Sequence, residues 1–200
     1  MSVANDAIYV IRGGLGDQMQ NRWSDKFILS ELNRAAERML AVFKRNLLDY
    51  GMGRATILLP ADADTFALPD DFRGVVGLYH SGKLVQLKGI EELETITATI
   101  PLAVWAVEGV KGVVKRPPAA DAELTLRYWQ APAQLTTAAS TMPWNGVFDA
   151  PLADYVRLRL ANYDEMTVAQ DMQLLQDLEN NMLVLAISRN PPVIQPRGWL

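Results

Sequence analysis

The chain has no cysteine and a single histidine among its 200 residues. Without thiols, disulfides and thiolate metal sites are excluded, which fits a reducing compartment. With His80 alone, no zinc set and no Cys-His pair assembles from one subunit. A lone-histidine triad would need a placed serine, and the chain has no Gly-x-Ser-x-Gly elbow to supply one. Apolar runs of about 18 residues are also missing, so no membrane span is expected. The opening stretch MSVANDAIYVIRGGLGD has neither a basic leader nor a small-residue cleavage site, and no signal peptide is expected. Basic charge is in short supply as well. The net charge is −4, which argues against a dedicated nucleic-acid binder, because such a protein needs a basic face to displace phosphate counterions. A protein that surrounds DNA without gripping it stays compatible with that charge. Internal repeats and low-complexity segments are absent too.

What remains is ordinary globular composition, half hydrophobic and about a fifth charged, in a length suited to one large domain or two small ones. The first section reads as helix. In NDAIYVIRGGLGD, Asn5 or Asp6 is the expected N-cap, Ala7, Ile8, Ile11 and Leu15 share one side, and Gly13, Gly14 and Gly16 weaken and end the helix. RWSDKFILSELNRAAERMLAVFKRNLLDYG is the clearer helix. Ser24 caps it and Asp25 lies in its first turn. Ile28, Leu32, Ala35, Ala36, Met39, Phe43 and Leu47 form one stripe, and Gly51 is the expected stop.

From about Thr56 the hydrophobic period changes from 3.6 to 2. Ser81-Gly82 predicts a hairpin between Val75–Tyr79 and Lys83–Leu87, GIEELETI a turn or two of helix, and Glu108-Gly109 a second hairpin. ELTLRYW puts Leu124, Leu126 and Tyr128 on one face against Glu123, Thr125 and Arg127 on the other, a half-buried antiparallel strand. Five or six short strands are expected, as a sheet, sandwich or barrel. Helix then returns. Asp149 is the expected cap of APLADYVRLRLANYDEM, with Pro151 in its first turn. Thr167 and Gln170 form a capping box for a last helix with Val168, Met172, Leu175, Leu178, Met182 and Leu185 on its apolar side. Gln170, Asp171, Gln173, Asp177, Glu179, Asn180 and Asn181 stand on its acidic side. The expected fold is α+β: residues 1–55 and 147–190 as a helical bundle, 56–146 as an inserted antiparallel β domain, and 191–200 as an extended arm.

Residues able to carry chemistry are few. His80 flanks a turn and reads as a solvated side chain rather than a general base. Gly13–Asp17 has half the look of a phosphate loop but lacks the remaining glycine and lysine spacing and a preceding strand. Asp62, Asp64, Asp70 and Asp71 crowd a short span without the turn glycine of a calcium loop, and aspartates beside prolines commonly bond their own backbone. No catalytic residue, cofactor site or metal site is expected. Trp105, Tyr128 and Trp129 read as sheet and core residues, and Trp144 as a plug at the junction of the two layers. The tail RNPPVIQPRGWL is different. Pro191, Pro192 and Pro196 hold it extended, and Trp199 either folds back on its own body or anchors another protein, tryptophan and arginine being common interface anchors.

Several stretches in order, RWSDKFILSELNRA, FALPDDFRGVVGLYHSGK, LTLRYWQAPAQL and VFDAPLADYVRLRLANY, resemble the head-to-tail adaptor proteins of tailed bacteriophages. The features that carry the likeness are a tryptophan-led helix bearing Asn33, the strand lead-in Leu68-Pro69-x-Asp71-Phe72, the Tyr79–Gly82 hairpin, and a strand running into APAQL. They span roughly residues 16–163. The resemblance implies a virion protein of the head-tail junction, made in the host cytoplasm. It further implies a homo-oligomeric ring, twelve-fold like the portal it sits on, that contacts portal and tail proteins and surrounds a DNA channel. It implies no catalytic residues. On this reading the arm docks on portal or neighbour through Val193, Ile194, Arg197, Trp199 and Leu200. The competing readings are a non-catalytic ligand- or partner-binding module or regulatory subunit, and a lone-histidine or carboxylate enzyme.

Overall fold

A computed structural model describes residues 2–20, 22–97, 99–161 and 163, with positions 173, 176–177, 179–181 and 183–185. The fold is α+β, and the chain divides into two compact units, Met1–Tyr50 with Pro132–Leu200, and Gly51–Ala131. The α-helices and strands with bounds among the described residues are α1 Ala4–Leu15, α2 Asp25–Arg45, β1 Met52–Leu59, β2 Thr65–Ala67, β3 Phe72–His80, β4 Lys83–Leu87, α3 Ile90–Thr95, β5 Val104–Glu108, β6 Lys111–Val114, β7 Ala122–Gln130 and α4 Asp149–Ala161. The described positions between 173 and 185 are also helical. The capping box at Thr167 and Gln170, most of the last helix's apolar stripe and the whole 191–200 arm lie outside the described residues.

In the helical unit, α1 starts before the expected caps Asn5 and Asp6. Val3 holds the N-cap position without a side-chain bond, and the first-turn amides of Ala4 and Asn5 instead donate to the carbonyls of Ser140 and Ala138, both at 2.8 Å. Backbone from the distant segment 132–142, a strap without regular helix or strand, satisfies donors that a cap would otherwise take. Gly16 ends the helix in the left-handed region at φ 67°, as its lack of a Cβ permits. Ser24 caps α2 by accepting from the amide of Phe27. The stripe Ile28, Leu32, Ala35, Ala36, Met39 and Phe43 is buried, whereas Leu47 is exposed. The helix stops well before Gly51, because Asn46 caps it and its side-chain amide donates to the carbonyl of Val42. Asp149 occupies the first position inside α4 rather than the cap before it. Trp144 packs edge-on against Phe43 and Phe148 within this unit, and Tyr50 completes the aromatic cluster against Phe148.

The β unit is one nearly closed seven-stranded mixed sheet in the order β1-β7-β3-β4-β5-β6-β2. Two strands more than the lowest expectation form because β1 runs from Met52, paired residue for residue with β7, and because three-residue β2 joins β6. A three-residue edge strand such as β2 carries too little period to be read from sequence. The β3–β4 hairpin turns at Ser81 and Gly82, both with positive φ, the geometry that matches the strands' right-handed twist. The β5–β6 hairpin turns on Gly109 at φ 60°, one residue later than expected. Strands β4 and β5 are parallel, so the chain must cross over between them, and α3 is that crossover. The side chains of Leu59, Phe66, Leu78, Val85, Trp105, Leu124, Leu126 and Tyr128 fill the interior. Outside, Leu93 of α3 packs on Val104 and Ala106, so α3 covers the outer face of β5.

Candidate functional site

The motif residues serve the architecture. In the helical unit, Asn33 makes a two-way amide clamp. Its Nδ2 donates to the carbonyl of Leu135 at 3.0 Å, and the amide of Leu135 donates to its Oδ1 at 2.8 Å. One side chain of α2 thus mimics a strand partner for APAQL, 102 residues away in sequence. In the β unit, Asp71 performs the matching task. Its Oδ1 accepts from the Tyr128 hydroxyl at 3.0 Å, its Oδ2 accepts from Gln130 Nε2 at 2.6 Å, and its carbonyl accepts from the amide of Ala131. Burial, then the bond to Asp71 and its charge, push the Tyr128 hydroxyl up from 10 to about 12.

Gly13–Asp17 supplies an anion rather than binding one. Asp17 accepts from the amides of Arg22 and Trp23 at 3.0 and 3.1 Å and pairs with buried Arg12 at 2.9 Å. Arg12 also donates to the carbonyl of Trp23 and reaches Asp25. The amides of Gly16 and Asp17 in the loop itself bond the carbonyls of Gly13 and Arg12, as at a helix C-terminus. Glu31, buried in α2, sits between Arg34 and Arg159 of α4, each at 2.8 Å, beside a groove of about 460 Å³ that Asn33, Arg38, Gln134 and Tyr155 help line. Glu179 is expected on the acidic side of the last helix, solvated or facing the channel. It is half-buried instead, 2.6 Å from Arg45 and 3.9 Å from Arg38, while Asp177 is exposed.

His80 ends β3 with Nδ1 3.3 Å from the carbonyl oxygen of Glu123. It borders an open groove of about 870 Å³ on the outer face of the sheet, with Arg54, Tyr79, Asp121, Glu123 and Arg127. The four clustered aspartates diverge. The amide of Asp62 donates to the carbonyl of Pro118, the carbonyl of Asp64 accepts from Val114, and Asp71 points to Tyr128. Among the described residues no group of three or more histidine, aspartate and glutamate side chains converges on a metal position, and no helix is long and apolar enough to cross a membrane. The docking residues Val193, Ile194, Arg197, Trp199 and Leu200 lie outside the described residues. Sequence reasoning overlooked Arg12, Glu31 and the Arg54–Arg127 pair. Only cross-strand register and helix packing bring these charges together, although Arg12 on the apolar side of a short helix was a visible irregularity.

The SU10 adaptor protein family matches residues 5–195. The chain belongs to that family. It is a phage head-to-tail adaptor, a structural protein of the virion. The match extends the resemblance at both ends, takes in Val193 and Ile194 of the tail, and stops short of Arg197, Trp199 and Leu200. No curated protein sequence matches this adaptor. The Asn33–Leu135 and Asp71–Tyr128 clamps join, each within its own unit, stretches that carried the resemblance, so these signature residues of the adaptor hold its fold.

Proposed function

We propose that this adaptor forms a homo-oligomeric ring, twelve-fold, beneath the portal, joining capsid to tail and surrounding the channel through which DNA passes. The family match over 5–195 carries the reading, since adaptors of this kind bridge head and tail. The arm 191–200 reaches portal or neighbour through Val193, Ile194, Arg197, Trp199 and Leu200. A net charge of −4 suits a conduit, because each phosphate contact would add affinity and therefore friction. Synthesis in the host cytoplasm and incorporation at the head-tail junction complete the proposal.

The test is size-exclusion with light scattering, and native mass, for the adaptor alone and mixed with a portal ring. A defined portal complex holding a ring of copies is the expected result. A monomer that ignores the portal overturns it and favours a partner-binding module. Retention of the free protein on duplex DNA at about physiological salt would count against the passive channel.

A further inference from the structure

The outer face of the sheet holds an arrangement that the fold does not explain. Arg54 of β1 stands directly opposite Arg127 of β7 in the register. Both are exposed, while their strand neighbours Ala55, Leu126 and Tyr128 turn inward. Like charges facing each other across a sheet pair oppose its formation, and among the described residues neither arginine has a carboxylate partner. The contact of Arg127 is with the sulfur of Met52 at 3.9 Å. On its other side Arg127 faces Gly77, over which the Tyr79 ring lies. The two guanidinium groups therefore project side by side from an open groove of about 870 Å³.

Elsewhere on the same unit is a patch of opposite sign. Glu91 and Glu94 are exposed on α3 and have no partner among the described residues, because Lys88 pairs with Glu92 at 2.6 Å and Lys115 donates to the carbonyl of Glu94 rather than its side chain. The spacings agree. Residues three apart on a helix stand roughly 5–6 Å apart at Cβ, and directly opposed strand residues are separated by roughly 4.5–5.5 Å. The positions agree too. Arg54 and Arg127 lie on β1 and β7, α3 lies on β5, and β1 and β2 approach one another to bring the sheet near closure. The two patches thus occupy opposite sides of the β unit, as a head-to-tail contact that uses each patch once per copy requires.

We propose that Arg54 and Arg127 of one adaptor bind Glu91 and Glu94 of the next copy, making this the polar contact between β units in the ring. The inference rests on the ring reading above and adds the residues that form the contact. Duplex DNA is the other source of anions for two arginines. It fits less well, because Asp121 and Glu123 line the same groove and would repel a polyanion while tolerating one helical turn with two carboxylates.

The experiment uses the full chain with portal rings and reads the assembly by native mass. R54E/R127E and E91R/E94R are each expected to lower ring occupancy about tenfold or more, as close interfacial charge pairs do when reversed. Circular dichroism of both variants should match wild type. The fourfold swap R54E/R127E/E91R/E94R is expected to restore assembly, which a merely misfolded or generally weakened surface would not do. Rings that form normally in both double variants, or a swap that fails to rescue while remaining folded, overturn the contact and leave the ring reading standing. Wild-type protein that never assembles on the portal overturns both. Normal rings with loss of duplex retention in R54E/R127E overturn the contact in favour of phosphate.

Discussion

Arg12 is the residue on which the helical unit depends most visibly. It is 5% exposed, its ion-pair partner Asp17 is 7% exposed, and together they organise the turn into α2. Removing Arg12 leaves the buried Asp17 carboxylate its amide bonds but not its countercharge, so Arg12→Met is expected to destabilise the fold by about 3–5 kcal/mol, read as a fall in the urea midpoint. A midpoint within error of wild type would show the pair to be dispensable. Tyr128 gives a pH signature. Its folded-state value of about 12 exceeds the usual 10, so between those values the folded protein keeps a proton that the unfolded chain has released. Stability from this group is full below pH 10 and is lost as pH rises toward 12. Tyr128→Phe should remove that component, so the stability difference between the two proteins is expected to shrink from pH 10 to 12. A constant difference would mean the hydroxyl is not held as described. His80→Ala, by contrast, should change stability by less than about 0.5 kcal/mol, since its ring makes one contact to a carbonyl at the sheet surface.

The elements are fixed by reciprocal contacts between distant segments. Strap residue Leu135 is 3% exposed, and both its backbone groups bond Asn33. Asn33→Ala leaves a buried amide and carbonyl without partners, and a loss of roughly 1–3 kcal/mol follows. Asn33→Asp retains the acceptor alone and should fall between Ala and wild type in thermal melts, and the reverse ranking would remove the clamp argument. Inside the sheet, Phe66 faces Gly112 across β2 and β6 and stacks on Trp105 with ring centroids 5.9 Å apart. A Cβ at residue 112 would overlap the Phe66 ring, so Gly112→Val is expected to cost about 1–3 kcal/mol through overpacking. Unchanged denaturant midpoints would show that β2 can move aside freely.

For the whole molecule, the proposal that 191–200 is a docking arm separates folding from assembly. Deleting those residues should leave circular dichroism and melting nearly unchanged while abolishing attachment to portal or ring. A truncated chain that unfolds, or one that attaches normally, would show that Trp199 packs on its own body or does nothing at the junction. Asp62 lies in a turn and Asp64 in the irregular stretch just before β2, so a double alanine variant should assemble as wild type. A failure of assembly with folding intact would reveal a site where a loop was assigned.

Local physics was legible from the residues themselves. Ser24 as a cap, the α2 stripe ending in Phe43, the Ser81-Gly82 turn and the alternation of β7 each depend on neighbours within a few positions, where periodicity and backbone preference decide the outcome. The order of motifs from Asn33 to APAQL also identified the adaptor family. Long-range pairing was not legible. That Asn33 reaches Leu135, that Asp71 accepts from Tyr128, and that Arg54 lands opposite Arg127 are consequences of register and packing between segments far apart in the chain. The caps at Val3 and Asn46 differ from expectation for related reasons: a distant strap took over the first-turn amides of α1, and Asn46 bonded Val42 before Gly51 could act. Neighbouring residues thus set most of the helices and strands, with three-residue β2 the exception. The tertiary structure decided which charges meet, because ion pairing depends on a few ångströms that no local pattern encodes.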